Sequence, residues 1–402
     1  MSHPIQYQAG LLRLLASQPD IDLLVIFCSD FSARQYQDSG FGASVAWDVP
    51  LMDGYRSVVL PRFRETSSPS PTRPISHGFF RHLQHGLDGA PFDAVWIHGY
   101  ANINCLHAML AAKALRIPVL LRAESWLQDR NRSRRKLLVK AACFRLLRGL
   151  VDAVLPIGTR NAEYWAHYFG GRFPAFLMPY AVDNAFFLSD ERSADASRSD
   201  LQRELGLAPG RPVILFASKL QARKHCDHLL EAYLQLRQGT DDAIAPQLLI
   251  VGDGEMRAAL EQRARSSGCD GIVFAGFRNQ SDLPRLFQLS TVFVLPSEHE
   301  AWGLVVNEAM AAGLPVIVTA DAGCAVDLVR NGDNGFIYPA GDVAALHNAL
   351  HATLQPGRAA AMGRRSLKII STWSYGEDVA GLRAALHFVT RRTRGAQGTG
   401  GA

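Results

Sequence analysis

The sequence has no Cys-x-x-Cys pair, no His or Cys cluster at zinc-ligand spacing, and no apolar run long enough to span a bilayer. Its six cysteines, Cys28, Cys105, Cys143, Cys226, Cys269 and Cys324, lie far apart. The first two absences argue against a structural zinc site and for a reducing compartment without disulfides. The third argues against a membrane-spanning helix. The opening MSHPIQYQAG lacks the basic and apolar regions of a signal peptide, so a cytoplasmic location is expected. The single Asp-x-Asp, Asp20-Ile21-Asp22, falls in a helix-to-strand turn and reads as turn chemistry, so no metal or other cofactor is expected.

The 402 residues are 48% hydrophobic and 20% charged, enough for two cores of ordinary size. Short β-branched runs alternate with longer helical patterns, the signature of βα units in parallel sheets. One series has strands near Leu23–Phe27, Ala94–Ile97, Val119–Leu121, Ala153–Ile157 and Phe176–Met178. A second has them near Val213–Ala217, Gln247–Val251, Ile272–Ala275, Val292–Leu295, Val316–Val318 and Gly335–Ile337. Both read as Rossmann-like, doubly wound α/β domains. The first opens on a loop and helix, so its first strand is expected to be missing. The expected boundaries are an N-terminal domain over 1–185, a polar linker over 186–211 and a C-terminal domain over 212–370. A helix over 371–390 is expected to pack back on the first domain, and a Gly-rich tail over 391–402 to lack order.

The stretch PSEHEAWGLVVNEAM places Glu300 and Glu308 eight residues apart around Gly303. A buried strand, FVLPS, ends just before it, and a compact helix from Leu304 is stopped by Gly313-Leu314-Pro315. Glu300 therefore sits on a loop at the carboxyl edge of the sheet, where open α/β folds bind ligands. Gly303 and Leu304 open the helix, whose first amides suit an anion such as phosphate. Ionised carboxylates accept two hydrogen bonds from neighbouring hydroxyls. Two of them flanking an anion site suit a nucleotide sugar, with Glu308 on the ribose diol and Glu300 on the transferred sugar. A solubilising loop acid and helix acid is the plain alternative. Lys219 and Lys224 leave the same sheet edge after the strand Val213–Ala217, and each can neutralise a phosphate oxygen. Fixed cations there would stabilise a departing diphosphate.

These stretches, with the turn Val251-Gly252-Asp253-Gly254-Glu255, the segment Phe274–Phe277 and the run from Val329 to Phe336, resemble family-4 glycosyltransferases of the GT-B fold. Met178-Pro179-Tyr180-Ala181-Val182-Asp183 is similar to the PNGVD stretch that family uses between its domains. The resemblance implies two Rossmann-like domains facing a cleft, a nucleotide-diphosphate sugar donor, a glycan or glycolipid acceptor and retention of anomeric configuration. It implies Glu308 on the ribose, Glu300 on the donor sugar, and Lys219, Lys224 and the Gly303 and Leu304 amides on the diphosphate. The base would lie on backbone near Phe277 and Arg278, with Gly252 in the donor-binding turn. It further suggests surface polysaccharide or lipopolysaccharide assembly. Lys219 departs from the family's usual arginine, and Glu124 stands about where many relatives place a histidine. If a protein base takes part, Glu124 and His98, both at strand ends, are the candidates.

From Arg130 to Arg148 the chain carries eight Lys or Arg and no acid, interspersed with leucines. Arg130, Arg132, Arg134, Arg135, Lys136 and Lys140 could meet an anionic membrane or an acceptor. A core-facing helix with a solvated basic face is the competing reading. No stacking aromatics accompany the charge, so nucleic acid is not expected as a partner. A GT-B sugar-nucleotide epimerase and a catalytically impaired sugar-nucleotide-binding relative remain as alternatives to a transferase.

Overall fold

The computed structural model describes residues 1–38, 40–64, 70–130, 132–188, 199–238, 240–241 and 244–398. Two compact units divide the chain: Met1–Gln35, Pro50–Tyr180 and Tyr375–Ala402 form one, Tyr36–Val49 and Ala181–Ser374 the other.

In the first unit, β1 (Leu24–Phe27) and a strand absent from the sequence reading, Arg56–Val59, form one parallel pair. Counting the hairpin strands β2 (Tyr36–Asp38) and β3 (Ala43–Val45) of the other unit, that strand is β4. A separate parallel sheet holds β5 (Val95–His98), β6 (Val119–Arg122) and β7 (Ala153–Val154) in that order. The sheet expected to lack its first strand is thus split in two. A cavity of about 930 Å³ is lined by residues of both pieces, among them Leu24, Val25 and Ile26 of β1 and Val95, Trp96 and Ile97 of β5. Beside it the Met1 amine donates to the Ile26 carbonyl at 2.7 Å, and the Cys28 and Ser29 amides donate to the Met1 and Ser2 carbonyls.

Proline accounts for two differences from expectation here. The run Ala153–Ile157 keeps only Ala153–Val154 as strand because Pro156 removes a ladder donor. Phe176–Met178 is not a strand, although the Phe176 and Met178 amides donate to the Val154 and Pro156 carbonyls; Pro174 and Pro179 bracket it.

The second unit has one six-stranded sheet in the order β10-β9-β8-β11-β12-β13. Its strands are β8 (Val213–Ala217), β9 (Gln247–Val251), β10 (Ile272–Gly276), β11 (Val292–Leu295), β12 (Val316–Thr319) and β13 (Gly335–Tyr338). All pairings are parallel. Every residue of β8, β9, β11 and β12 is buried, which is why these runs are continuously apolar rather than alternating. The order reverses between β8 and β11. Loops leaving the carboxyl ends of those two strands carry Lys219, Lys224 and Glu300 to one edge of the sheet.

The final helix, Tyr375–Gly398, clusters with the first unit and extends well past residue 390, so the expected disordered tail is helical to Gly398; residues 399–402 lie outside the described residues. Arg122 on β6 is fully buried and donates to the Met178 and Pro179 carbonyls and, at 2.9 Å, to Asp378 of that helix. The expected linker holds a short helix, Asn184–Phe187, at its start, and residues 189–198 of it lie outside the described residues.

Candidate functional site

The β11 strand ends at Leu295 and the chain loops through Glu300 to Gly303, which caps the helix Leu304–Ala311. Gly303 has φ 96°, and a Cβ there would lie 2.8 Å from Leu295 Cδ2, so only glycine fits without displacement. Leu304 follows as the first, half-buried residue of the helix. Glu300 is fixed by its backbone: its amide donates to the Asp321 carbonyl and its carbonyl accepts from the Gly323 amide.

Around that loop the structure brings together two residues expected in separate roles. Lys224, in the 3-10 turn Ala222–Lys224, donates to the Glu300 carboxylate. Arg223 approaches the same carboxylate at 3.8 Å, a neighbour the sequence reading passed over although it lies in the same basic run. Burial pulls the Lys224 ammonium below its usual pKa, against the opposing pull of Glu300. Lys219, on the same loop, is held elsewhere. Its ammonium donates to both oxygens of Asp38, at 2.7 and 3.0 Å.

Glu308 lies inside the helix and is fully buried. One carboxylate oxygen accepts from the Gln280 amide at 3.3 Å, while Oε2 has no hydrogen-bond partner among the described residues. Burial raises its pKa to about 8, only partly offset by Gln280. A buried acceptor left unpaired costs about 1–3 kcal/mol, and a ligand hydroxyl would relieve that cost.

Phe277 is half-buried beyond the end of β10, and Arg278 pairs with Glu204 at 3.0 Å. Gly252 has φ 131°, and a Cβ on it would stand 1.9 Å from the Ser218 carbonyl oxygen. It therefore lets the loop after β9 press against the loop after β8, and its contribution to the site is this close approach of two backbones.

Glu124 and His98 belong to the other unit. They are joined by a residue the sequence reading quoted but gave no role: the Tyr180 hydroxyl donates to Glu124 and lies 3.3 Å from His98 Nε2. Tyr180 stands where the PNGVD stretch has asparagine, and that departure was the available signal. Burial, with Arg122 second, lowers the His98 pKa to about 3, so its imidazole is neutral at physiological pH.

The basic segment folds as the helix Arg134–Arg148, with Phe144 its one buried residue. Arg134, Arg135 and Lys136 are exposed, as is Arg130 before the helix. Two of the six basic residues assigned to a surface role are turned to other partners. Arg132 pairs with Asp129 at 2.6 Å, and Lys140 lies 4.5 Å from the Tyr164 ring centroid, where burial lowers its pKa to about 8. The apolar residues point the other way: Leu138, Val139 and Leu146 are 72%, 64% and 78% exposed. The helix thus buries Phe144 and exposes these apolar residues together with most of its basic side chains.

Among the described residues, His225, Asp227 and His228 offer atoms close enough to share a metal ion. The two imidazoles stack at 4.3 Å with planes 5° apart, so their in-plane lone pairs run parallel rather than converging.

Residues 197–366 match the family model of glycosyl transferases group 1. The matched stretch contains the whole Lys219, Lys224, Glu300 and Glu308 constellation. The chain is 35% identical over 152 residues to a GDP-mannose-dependent alpha-mannosyltransferase of Mycobacterium tuberculosis, covering 38% of this chain and 36% of that protein. It is 31% identical over 255 residues to a GDP-mannose-dependent alpha-(1-6)-phosphatidylinositol monomannoside mannosyltransferase of Mycolicibacterium smegmatis, covering 61% of this chain and 60% of that one. The matched stretches thus span about a third to three fifths of those relatives' length. Among solved structures, Anabaena HepE in complex with UDP superposes with TM-score 0.71 at 18% identity over 96% of this chain and 97% of that one. Sucrose-phosphate synthase from Thermosynechococcus elongatus gives 0.68 at 20% identity, over 98% and 96% of the two chains. The fold is therefore GT-B, with two Rossmann-like units.

Proposed function

We propose that the protein is a glycosyltransferase that moves a sugar from a nucleotide-diphosphate donor to a hydroxyl of a glycan or glycolipid, retaining the anomeric configuration. The observation that carries this reading is the buried Glu308 carboxylate, unpaired at Oε2, one turn inside a helix that opens at Gly303. An acceptor so placed suits a ribose diol, and the helix amides with Lys219 suit the diphosphate. Donors of both kinds occur among similar proteins: GDP-mannose in the names of mycobacterial relatives, UDP and UDP-glucose with HepE.

In this reading Glu300 receives the donor sugar's hydroxyls while Lys224 donates to its carboxylate. The bond from C1 to the β-phosphate oxygen breaks, the acceptor oxygen bonds to C1 on the same face, and the acceptor proton passes to the leaving phosphate. Lys219 and Lys224 balance the charge that develops there, and no metal is required.

The basic helix extends the proposal to an acceptor at an anionic membrane surface. Its exposed Leu138, Val139 and Leu146 with flanking Arg134, Arg135 and Arg145 suit the interface of acidic lipids. Surface polysaccharide or lipopolysaccharide assembly is the setting this suggests.

The test is release of nucleoside diphosphate from a panel of UDP- and GDP-sugars in excess EDTA, with and without glycan acceptors. Acceptor-dependent release, reduced at least 100-fold in Glu300→Ala, is expected. Acceptor-independent conversion of a nucleotide sugar into its epimer would favour the epimerase instead.

A further inference from the structure

The hairpin of β2 and β3 lies in sequence between two segments of the first unit, yet it packs within the second. Each of its strands has only three residues, and a two-stranded ribbon of that size is marginal by itself. What holds it is a set of contacts to the donor-site residues. Asp38 takes the Lys219 ammonium, which also lies 4.6 Å from the Phe41 ring centroid. Gly40 leaves room for this: a Cβ there would stand 2.7 Å from Lys219 Cδ and Nζ. The Gly40 and Phe41 amides both donate to Asp38 Oδ1, fixing the carboxylate towards the lysine. Phe41 and Trp47 pack edge-on against Phe277, at 4.9 and 6.2 Å between centroids. The Asn279 side chain donates to the Ala46 carbonyl at 2.7 Å, and Ser281 donates to Asp48. Between these two anchors lies Gln280, whose amide covers Glu308.

We propose that this hairpin is an internal gate on the donor site, with the Asp38 carboxylate occupying the phosphate position at Lys219 and leaving when a nucleoside diphosphate binds. The inference rests on the donor-site reading above. Lys219 directs two of its three N–H donors to Asp38, whose negative charge repels an anion brought to the third, and a diphosphate carries more charge and more acceptor oxygens than a carboxylate. Phe277 and the 279–281 segment, which anchor the hairpin, adjoin the position assigned to the base, so departure of Asp38 and rearrangement of Trp47 are coupled. Gating of this kind lowers the apparent affinity by the fraction of molecules with the hairpin open.

Asp38→Asn removes the charge and keeps an oxygen for the Gly40 and Phe41 amides. Titration calorimetry of the full chain with UDP and GDP, and with uridine and guanosine as phosphate-free controls, tests the gate. The variant is expected to bind whichever diphosphate the wild type binds about tenfold tighter, with nucleoside affinity unchanged, as an open fraction near one in ten requires. The same diphosphate should change the tryptophan emission of the wild type, a change absent in Trp47→Phe. Equal diphosphate affinity in wild type and Asp38→Asn, or binding without a Trp47 signal, overturns the gate and leaves the donor site standing. Failure of both proteins to bind either diphosphate overturns the donor-site reading and the gate with it.

Discussion

Glu308 is a fully buried acid whose charge state responds to what surrounds it. Its pKa rises from 4.5 to about 8 in the folded protein because burial disfavours the anion. A carboxyl whose folded pKa is raised contributes stability that is present below the unfolded pKa and lost as pH rises through the folded one. The window is therefore about pH 4.5 to 8. Within it the protein should lose stability by up to about 1.4 kcal/mol per pH unit relative to Glu308→Gln, which cannot ionise. Thermal melts of the two proteins without ligand, from pH 5 to 8, measure this directly; parallel curves would contradict the assignment. At this scale the sequence was informative about residue types and poor about partners. The spacing of Glu300, Gly303 and Glu308 around a helix start was visible in one short stretch. That Lys224 would close on Glu300, or Lys219 on Asp38, was not, because those partners are separated by 76 and 181 residues and meet only through tertiary packing.

The structural elements divide by how local their signals are. Strands β8, β9 and β11 match their apolar runs to the residue, since burial on both faces writes a continuous pattern. The hairpin Tyr36–Val45 and β4 were missed: their residues are partly exposed and carry no such run. The basic helix was legible as a helix, but which face it buries was not, because Phe144 and Lys140 turn inward against an aromatic cluster that only the fold assembles. With its leucines outward, the protein should sediment with vesicles of acidic phospholipid and be released by salt. Leu138→Ser with Leu146→Ser should weaken that binding about tenfold or more without lowering the melting temperature, since both side chains are exposed. Indifference to lipid charge would remove the membrane proposal. The helix Tyr375–Gly398 has a different anchor, the buried Arg122–Asp378 pair. Asp378→Ala leaves the guanidinium buried with fewer partners and should destabilise the protein by about 3–5 kcal/mol in denaturant titration. A loss under 1 kcal/mol would mean that Met178 and Pro179 suffice to hold it.

At the scale of the whole molecule, the residues proposed for donor recognition all lie in the second unit. The second unit has an unbroken six-stranded sheet, while the first has its sheet in two pieces beside a cavity of about 930 Å³. That difference follows the clarity of the sequence signal, which was strongest from about 213 to 342 and weakest at the start. Among the described residues no helix is long and apolar enough to cross a membrane. The central claim is that a nucleotide sugar binds the second unit through Glu308. Its most direct test is a thermal-shift screen of the full chain against UDP- and GDP-sugars, run in parallel on Glu308→Ala. The account predicts that at least one nucleotide sugar raises the melting temperature of the wild type and that the variant loses the response. No response to any of them, or an equal response in Glu308→Ala, would contradict it.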